Sequence, residues 1–130
     1  MFKNTKAFSG FSVDDIHKAK KFYSETLGLN VQDNPMGLIE LSIEGNNNII
    51  IYPKPNHQPA TYTILNFPVK NIDEAVDKLT SLGVKFEQYT GDIQTDEKGI
   101  ARSSDEGPNI AWFKDPAGNI LSVLEMNKAE

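Results

Sequence analysis

Phe11-Ser12-Val13-Asp14-Asp15-Ile16-His17-Lys18-Ala19 returns 56 positions later as Phe67-Pro68-Val69-Lys70-Asn71-Ile72-Asp73-Glu74-Ala75, and this echo decides the fold. Phe, Val, Ile and Ala keep their places in both copies. Leu27-Gly28-Leu29 also returns, as Leu82-Gly83-Val84, but 55 positions on. A repeat of this kind marks a duplicated structural unit. The one-residue slip falls inside a helix, where a single deletion can be absorbed near the C-terminal end.

Outward from the echo, each copy reads alike. Ala7 to Val13 and Thr61 to Val69 are rich in aromatic and branched residues, as strands are. Ile16, Ala19, Phe22, Tyr23 and Leu27 then fall at helical spacing, as do Ile72, Ala75, Val76, Leu79 and Leu82. Asp15 and Asn71 sit where a side chain can accept from free N–H groups of a first helical turn, and Asn71 with Glu74 resembles a capping box. Gly28 and Gly83 stop the helices. Three strands follow in each half: Leu29 to Gln32, Leu38 to Ile43 and Asn48 to Tyr52, then Val84 to Tyr89, Asn109 to Lys114 and Asn119 to Glu125. Gly45-Asn46-Asn47 and Asp115-Pro116-Ala117-Gly118 supply turns.

The predicted fold class is therefore α+β: two βαβββ modules, roughly 1–57 and 58–130, inside one domain of 130 residues. Pro53, Pro55 and Pro59 stiffen the join. A sheet with a helix on one face leaves the other face uncovered, so two curved mixed sheets are expected to pair into an open cup able to hold a small ligand.

Composition narrows the function. Thirteen basic against eighteen acidic residues give a net charge of −5, which argues against nucleic acid and acidic membranes. The absence of cysteine removes disulfides, thiolate metal sites and cysteine nucleophiles. No apolar run nears the ~20 residues that span a bilayer. Met1 to Lys6 is basic, but no apolar stretch follows as in a secretory signal, so a cytoplasmic location is expected.

Val13-Asp14-Asp15, Phe22-Tyr23 and Leu27-Gly28-Leu29, with Asp115-Pro116-Ala117-Gly118-Asn119 near the other end, resemble the vicinal oxygen chelate superfamily of glyoxalase I, bleomycin-resistance proteins and extradiol dioxygenases. The resemblance spans nearly the whole chain. It implies a cup of paired modules, a homodimer, a small-molecule ligand and, in many enzymes of the group, a divalent metal held by His and Glu. Position by position, the metal set is missing here. The two His positions carry Phe8 and Ile64, the Glu position carries Ser122, and the fourth falls near Ile50 to Tyr52. His17 and His57 are the only histidines, on the first helix and in the linker. The expectation is no metal and no cofactor, with Glu40, Glu44 and Glu125 as carboxylates that could contribute to an irregular site.

The cup lining implied by the resemblance and by alternation is Phe8, Tyr52, Ile64, Asn66, Trp112 and Ser122, although the facing of Trp112 is open. Lys54 and His57 are rim candidates, since histidine titrates near neutral pH and can act as acid or base. Each has a plainer reading: aromatics pack, an inward amide forms a structural hydrogen bond, and the linker is solvated. Ser122 has no evident His or Asp partner for nucleophilic work. Thr90 to Pro108, with Asp92, Asp96, Glu97, Lys98, Arg102, Asp105 and Glu106, is a lid or a solvated loop, and Gly99-Ile100-Ala101 could form a short strand within it. Two functions follow. One is a metal-free protein that sequesters or senses a ligand. The other is an enzyme of the same superfamily, a lyase, isomerase or dioxygenase-like protein, metal-free or with displaced metal ligands. A third role, support of a dimer by the sheets, is also open.

Overall fold

A computed structural model describes residues 1–103 and 107–126, so Asp105 and Glu106 lie outside the described residues. The chain divides into two compact units, Met1–Pro59 and Ala60–Glu130. Each carries one four-stranded mixed sheet and a helix.

In the first unit, β1 (Gly10–Val13) leads into α1 (Ile16–Lys21), followed by β2 (Asn30–Asp33), β3 (Ile39–Ser42) and β4 (Ile49–Pro53). The sheet order is β1-β4-β3-β2, with β1 parallel to β4 and the other pairs antiparallel. Alternation places Phe11, Val13, Ile39, Leu41, Ile49 and Ile51 on one face. There Val13, Leu41 and Ile51 have no exposed surface, and Phe11 meets buried Tyr23 with ring centroids 6.1 Å apart. Asp15 caps α1, its Oδ1 accepting from the backbone N–H groups of His17 and Lys18.

The helix does not run straight to Leu27. Phe22–Thr26 forms a π-helical turn, closed by Leu27 N–H donating to the Phe22 carbonyl (3.0 Å). A π turn takes up one extra residue without ending the helix. The one-residue excess of the first copy is absorbed here, which keeps Leu27-Gly28-Leu29 equivalent to Leu82-Gly83-Val84. Gly28 and Gly83 both hold positive φ, at 71° and 97°, as helix-stopping residues do.

In the second unit, β5 (Thr63–Pro68) leads into α2 (Ile72–Ser81), then β6 (Ile100–Ala101), β7 (Asn109–Lys114) and β8 (Ile120–Glu125), in the order β5-β8-β7-β6. Ile72 and Val76 of α2, with Ala111, Phe113, Leu121 and Val123 of the sheet, form the core. Asn71 caps α2 by accepting from Glu74 N–H (3.0 Å), and Glu125 of β8 reaches the same turn, accepting from Ile72 N–H (2.9 Å).

The expected strand over Val84 to Tyr89 is not formed. Only Phe86 bridges to β7, opposite Phe113. Beyond it the chain turns away, because Thr95 takes both backbone groups of Tyr89: its Oγ1 accepts Tyr89 N–H (2.9 Å) and its N–H donates to the Tyr89 carbonyl (3.1 Å). The sheet edge is completed by Ile100–Ala101, opposite Ala111 and Ile110. The part of the long segment around Ile100 is therefore a strand of the sheet, and Ile100 is fully buried. Asp96 shapes the turn before it, its Oδ1 accepting from the N–H groups of Lys98 and Ile100. Lys98 and Arg102 then fasten this segment to α2 through Asp73, at 2.9 and 2.7 Å.

Candidate functional site

Each sheet turns one face away from its helix, and Asn66, Ser122 and Trp112 of the second sheet and Tyr52 of the first lie on those faces. In the second unit, Asn66, Ser122 and Trp112 lie side by side across β5, β8 and β7. This settles the facing of Trp112: it shares a row with Ser122, on the side opposite Phe113 and Leu121. Its ring meets the Tyr89 ring edge-on at 5.5 Å. Burial, with the nearby Glu87 charge second, pushes the Tyr89 phenol up.

Ser122 has no exposed surface, and its hydroxyl donates to Asn66 Oδ1 (2.6 Å). A buried hydroxyl needs such a partner, and this one commits its proton to an amide, not to a base. Ile64 is half-buried and falls where the register shifts between Thr63 and Leu65. A bulge resets which face a residue takes, so alternation from Asn66 does not carry to Ile64.

In the first unit, Ile50, Tyr52 and Glu40 lie on the face away from α1. A pocket of about 700 Å³ opens there, with Phe8, Leu38 and Ile50 as its apolar wall and Glu40 inside. Phe8 lies ahead of β1 and is 66% exposed. The Glu40 carboxylate accepts at both oxygens, from Asn48 Nδ2 on Oε1 (3.0 Å) and from Asn34 Nδ2 on Oε2 (2.9 Å). These bonds, Asn48 first and Asn34 second, hold it below the usual glutamate range. Asn47 Nδ2 donates to the Ala7 carbonyl (2.7 Å), tying the β3–β4 hairpin to the segment that carries Phe8.

The rim candidates are anchored more firmly than a solvated linker would be. Lys54 N–H donates to the Val13 carbonyl, His57 N–H donates to the Lys54 carbonyl, and His57 Nδ1 lies 2.6 Å from Ser12 Oγ. The Lys54 ammonium donates to Asn56 Oδ1 (2.9 Å). Tyr52 sits beside Ser12 in the β1–β4 register.

From sequence alone Glu40 enters only as a candidate for an irregular metal site, and Asn34, Asn48 and Ser12 are not singled out. For Glu40 the signal was present: Ile39-Glu40-Leu41-Ser42 alternates, which sends Glu40 to the face opposite Ile39 and Leu41. The amides come from turns, where alternation gives no direction.

At the positions that the resemblance assigns to metal ligands, the residues do not fit a divalent ion: Phe8 and Ile64 offer a phenyl ring and an alkyl chain, and the Ser122 hydroxyl is committed to Asn66. Glu125 is engaged at the start of α2. Among the described residues no three His, Asp or Glu side chains converge as a metal would require.

Comparison with known proteins agrees with this architecture. Residues 8–123 match the model of the Glyoxalase/Bleomycin resistance protein/Dioxygenase superfamily. The chain belongs to that superfamily. A search of the curated proteins found no match. Among solved structures, the chain is similar to TnmS3, an antibiotic binding protein from Streptomyces sp. CB03234, at 20% identity and TM-score 0.69, covering 98% of this chain and 99% of that one. It is similar to the fosfomycin resistance protein FosX from Listeria monocytogenes, at 16% identity and TM-score 0.72, covering 96% and 94%. It is also similar to a lactoylglutathione lyase from Agrobacterium tumefaciens, at 19% identity and TM-score 0.67, covering 96% of each chain. At these identities the likeness shows the fold. No helix among the described residues is long and apolar enough to cross a membrane.

Proposed function

We propose that this protein is a small-molecule-binding member of the glyoxalase superfamily that works without the family's metal, sequestering or sensing an organic ligand, with a second copy of the chain as its partner. One feature carries the reading: the positions that the family resemblance assigns to metal ligands hold Phe8, Ile64 and Ser122, and the Ser122 hydroxyl donates to Asn66. Two further features support it. The first unit has a pocket with an apolar wall and a few fixed polar groups, the usual make-up of a ligand site. Two proteins of similar structure are described as an antibiotic binding protein and a fosfomycin resistance protein. Cytoplasmic location belongs to the same proposal. Native mass spectrometry of the freshly purified protein tests it, because one spectrum reads metal content, bound organic mass and subunit number.

A further inference from the structure

We infer that the pocket of the first unit selects an organic cation, an amidinium or ammonium head on an apolar body, with Glu40 as the recognising group. The inference rests on the ligand-binding reading above and names the ligand's chemical class.

Glu40 is unlike the paired carboxylates of the chain. Asp33 pairs with Lys20, Asp73 and Asp77 pair with Lys98, and Asp96 pairs with Arg102. Glu40 is held by two neutral amides and, among the described residues, by no ion pair. Amide donors orient a carboxylate and keep it ionised, but they leave its full negative charge in place. The amides are themselves fixed. Asn34 Oδ1 accepts Met36 N–H (2.8 Å) and Asn48 Oδ1 accepts the Ser42 hydroxyl (3.1 Å), so each must turn its NH₂ toward Glu40. An ionised carboxylate offers about four acceptor positions. Two are used, and the remaining two suit the parallel N–H groups of an amidinium or guanidinium, or one ammonium.

The wall supplies the second half of the recognition. Phe8 presents an exposed ring beside the carboxylate's pocket, and such a ring attracts cations through its face while covering apolar surface. Leu38 and Ile50 complete an apolar seat for the ligand's body. Lys6 is the other charged residue on the lining, and it opposes a cation. Its removal is expected to tighten binding of a cationic ligand.

The test uses three probes of one shape and different charge: benzamidine, benzamide and benzoate. Each is titrated into the isotope-labelled full-length protein, and the side-chain amide signals of Asn34 and Asn48 are followed by NMR. Benzamidine is expected to bind about tenfold more tightly than benzamide, the size of one charge-assisted contact, with benzoate weakest. Glu40→Gln is expected to bring benzamidine and benzamide within about twofold of each other, and Lys6→Ala to strengthen benzamidine alone. Benzamide binding as tightly as benzamidine, or benzoate binding most tightly, overturns the cation assignment and leaves the ligand-holding reading intact. No shift at either amide with any probe overturns the assignment of this pocket, and the ligand-holding reading is then judged separately by bound organic mass in the native spectrum. The comparison within the wild-type protein needs no variant, so it decides the matter even where Glu40→Gln does not fold.

Discussion

Ser122 and Asn66 share one hydrogen bond but stand in different surroundings, and the difference sets which of them matters more to stability. Ser122 is fully buried, whereas Asn66 is exposed. Ser122→Ala removes the buried hydroxyl along with its bond, and the Asn66 amide can turn to water, so the cost is expected to be about 0.5–1 kcal/mol. Asn66→Ala leaves the Ser122 hydroxyl buried without its acceptor and is expected to cost about 1–3 kcal/mol. Urea unfolding of the two variants reads the order, and a larger loss in Ser122→Ala contradicts the account. Asp73 makes a second prediction. Arg102 first and Lys98 second hold its carboxyl well below the usual range. A depressed folded-state value means that the stabilisation is complete above the unfolded value, near pH ~4, and is lost as pH falls through the folded value. At pH 7 Asp73→Asn is expected to be less stable than wild type by about 1 kcal/mol or less, since the side chain is 45% exposed and the pairs are screened. The two proteins converge as the pH is lowered below ~4, and a gap unchanged at the lowest pH contradicts the pairing.

At the scale of elements, the π turn is the sharpest case. Its sequence sign is the change of offset from 56 to 55, which places one extra residue between Ala19 and Leu27. Deleting Ser24 makes the first helix the length of the second. The expected outcome is a folded protein with a regular α-helix over this stretch, an unchanged far-ultraviolet spectrum and a cooperative melt. Loss of the cooperative melt shows that the turn is required and not merely tolerated. The caps at Asp15 and Asn71 and the helix stops at Gly28 and Gly83 were legible, because each follows from local chemistry. The edge of the second sheet was not. Val84 to Tyr89 has strand-like residues, but Thr95 captures the Tyr89 backbone from six positions away and hands the edge to Ile100–Ala101. No local propensity reports a competition of that kind.

At the scale of the whole molecule, the fold was legible because the duplication writes it twice, and superfamily membership follows from the motifs that open and close the chain. The candidate site was legible in part. Alternation and resemblance point to Asn66 and Ser122 together but leave the facing of Trp112 open, which the strand register supplies, and alternation does not carry across the bulge at Ile64. Glu40 is legible only as a candidate for an irregular metal site, and its amide partners Asn34 and Asn48 are not legible because they come from turns, where alternation gives no direction. The central claim is that this superfamily member binds an organic molecule and no structural or catalytic ion. Native mass spectrometry of protein purified without added metal or chelator tests it most directly. The account predicts a mass equal to the polypeptide, alone or with an organic adduct, and no metal at stoichiometric occupancy. One zinc, nickel, iron or manganese ion per chain at full occupancy would contradict it.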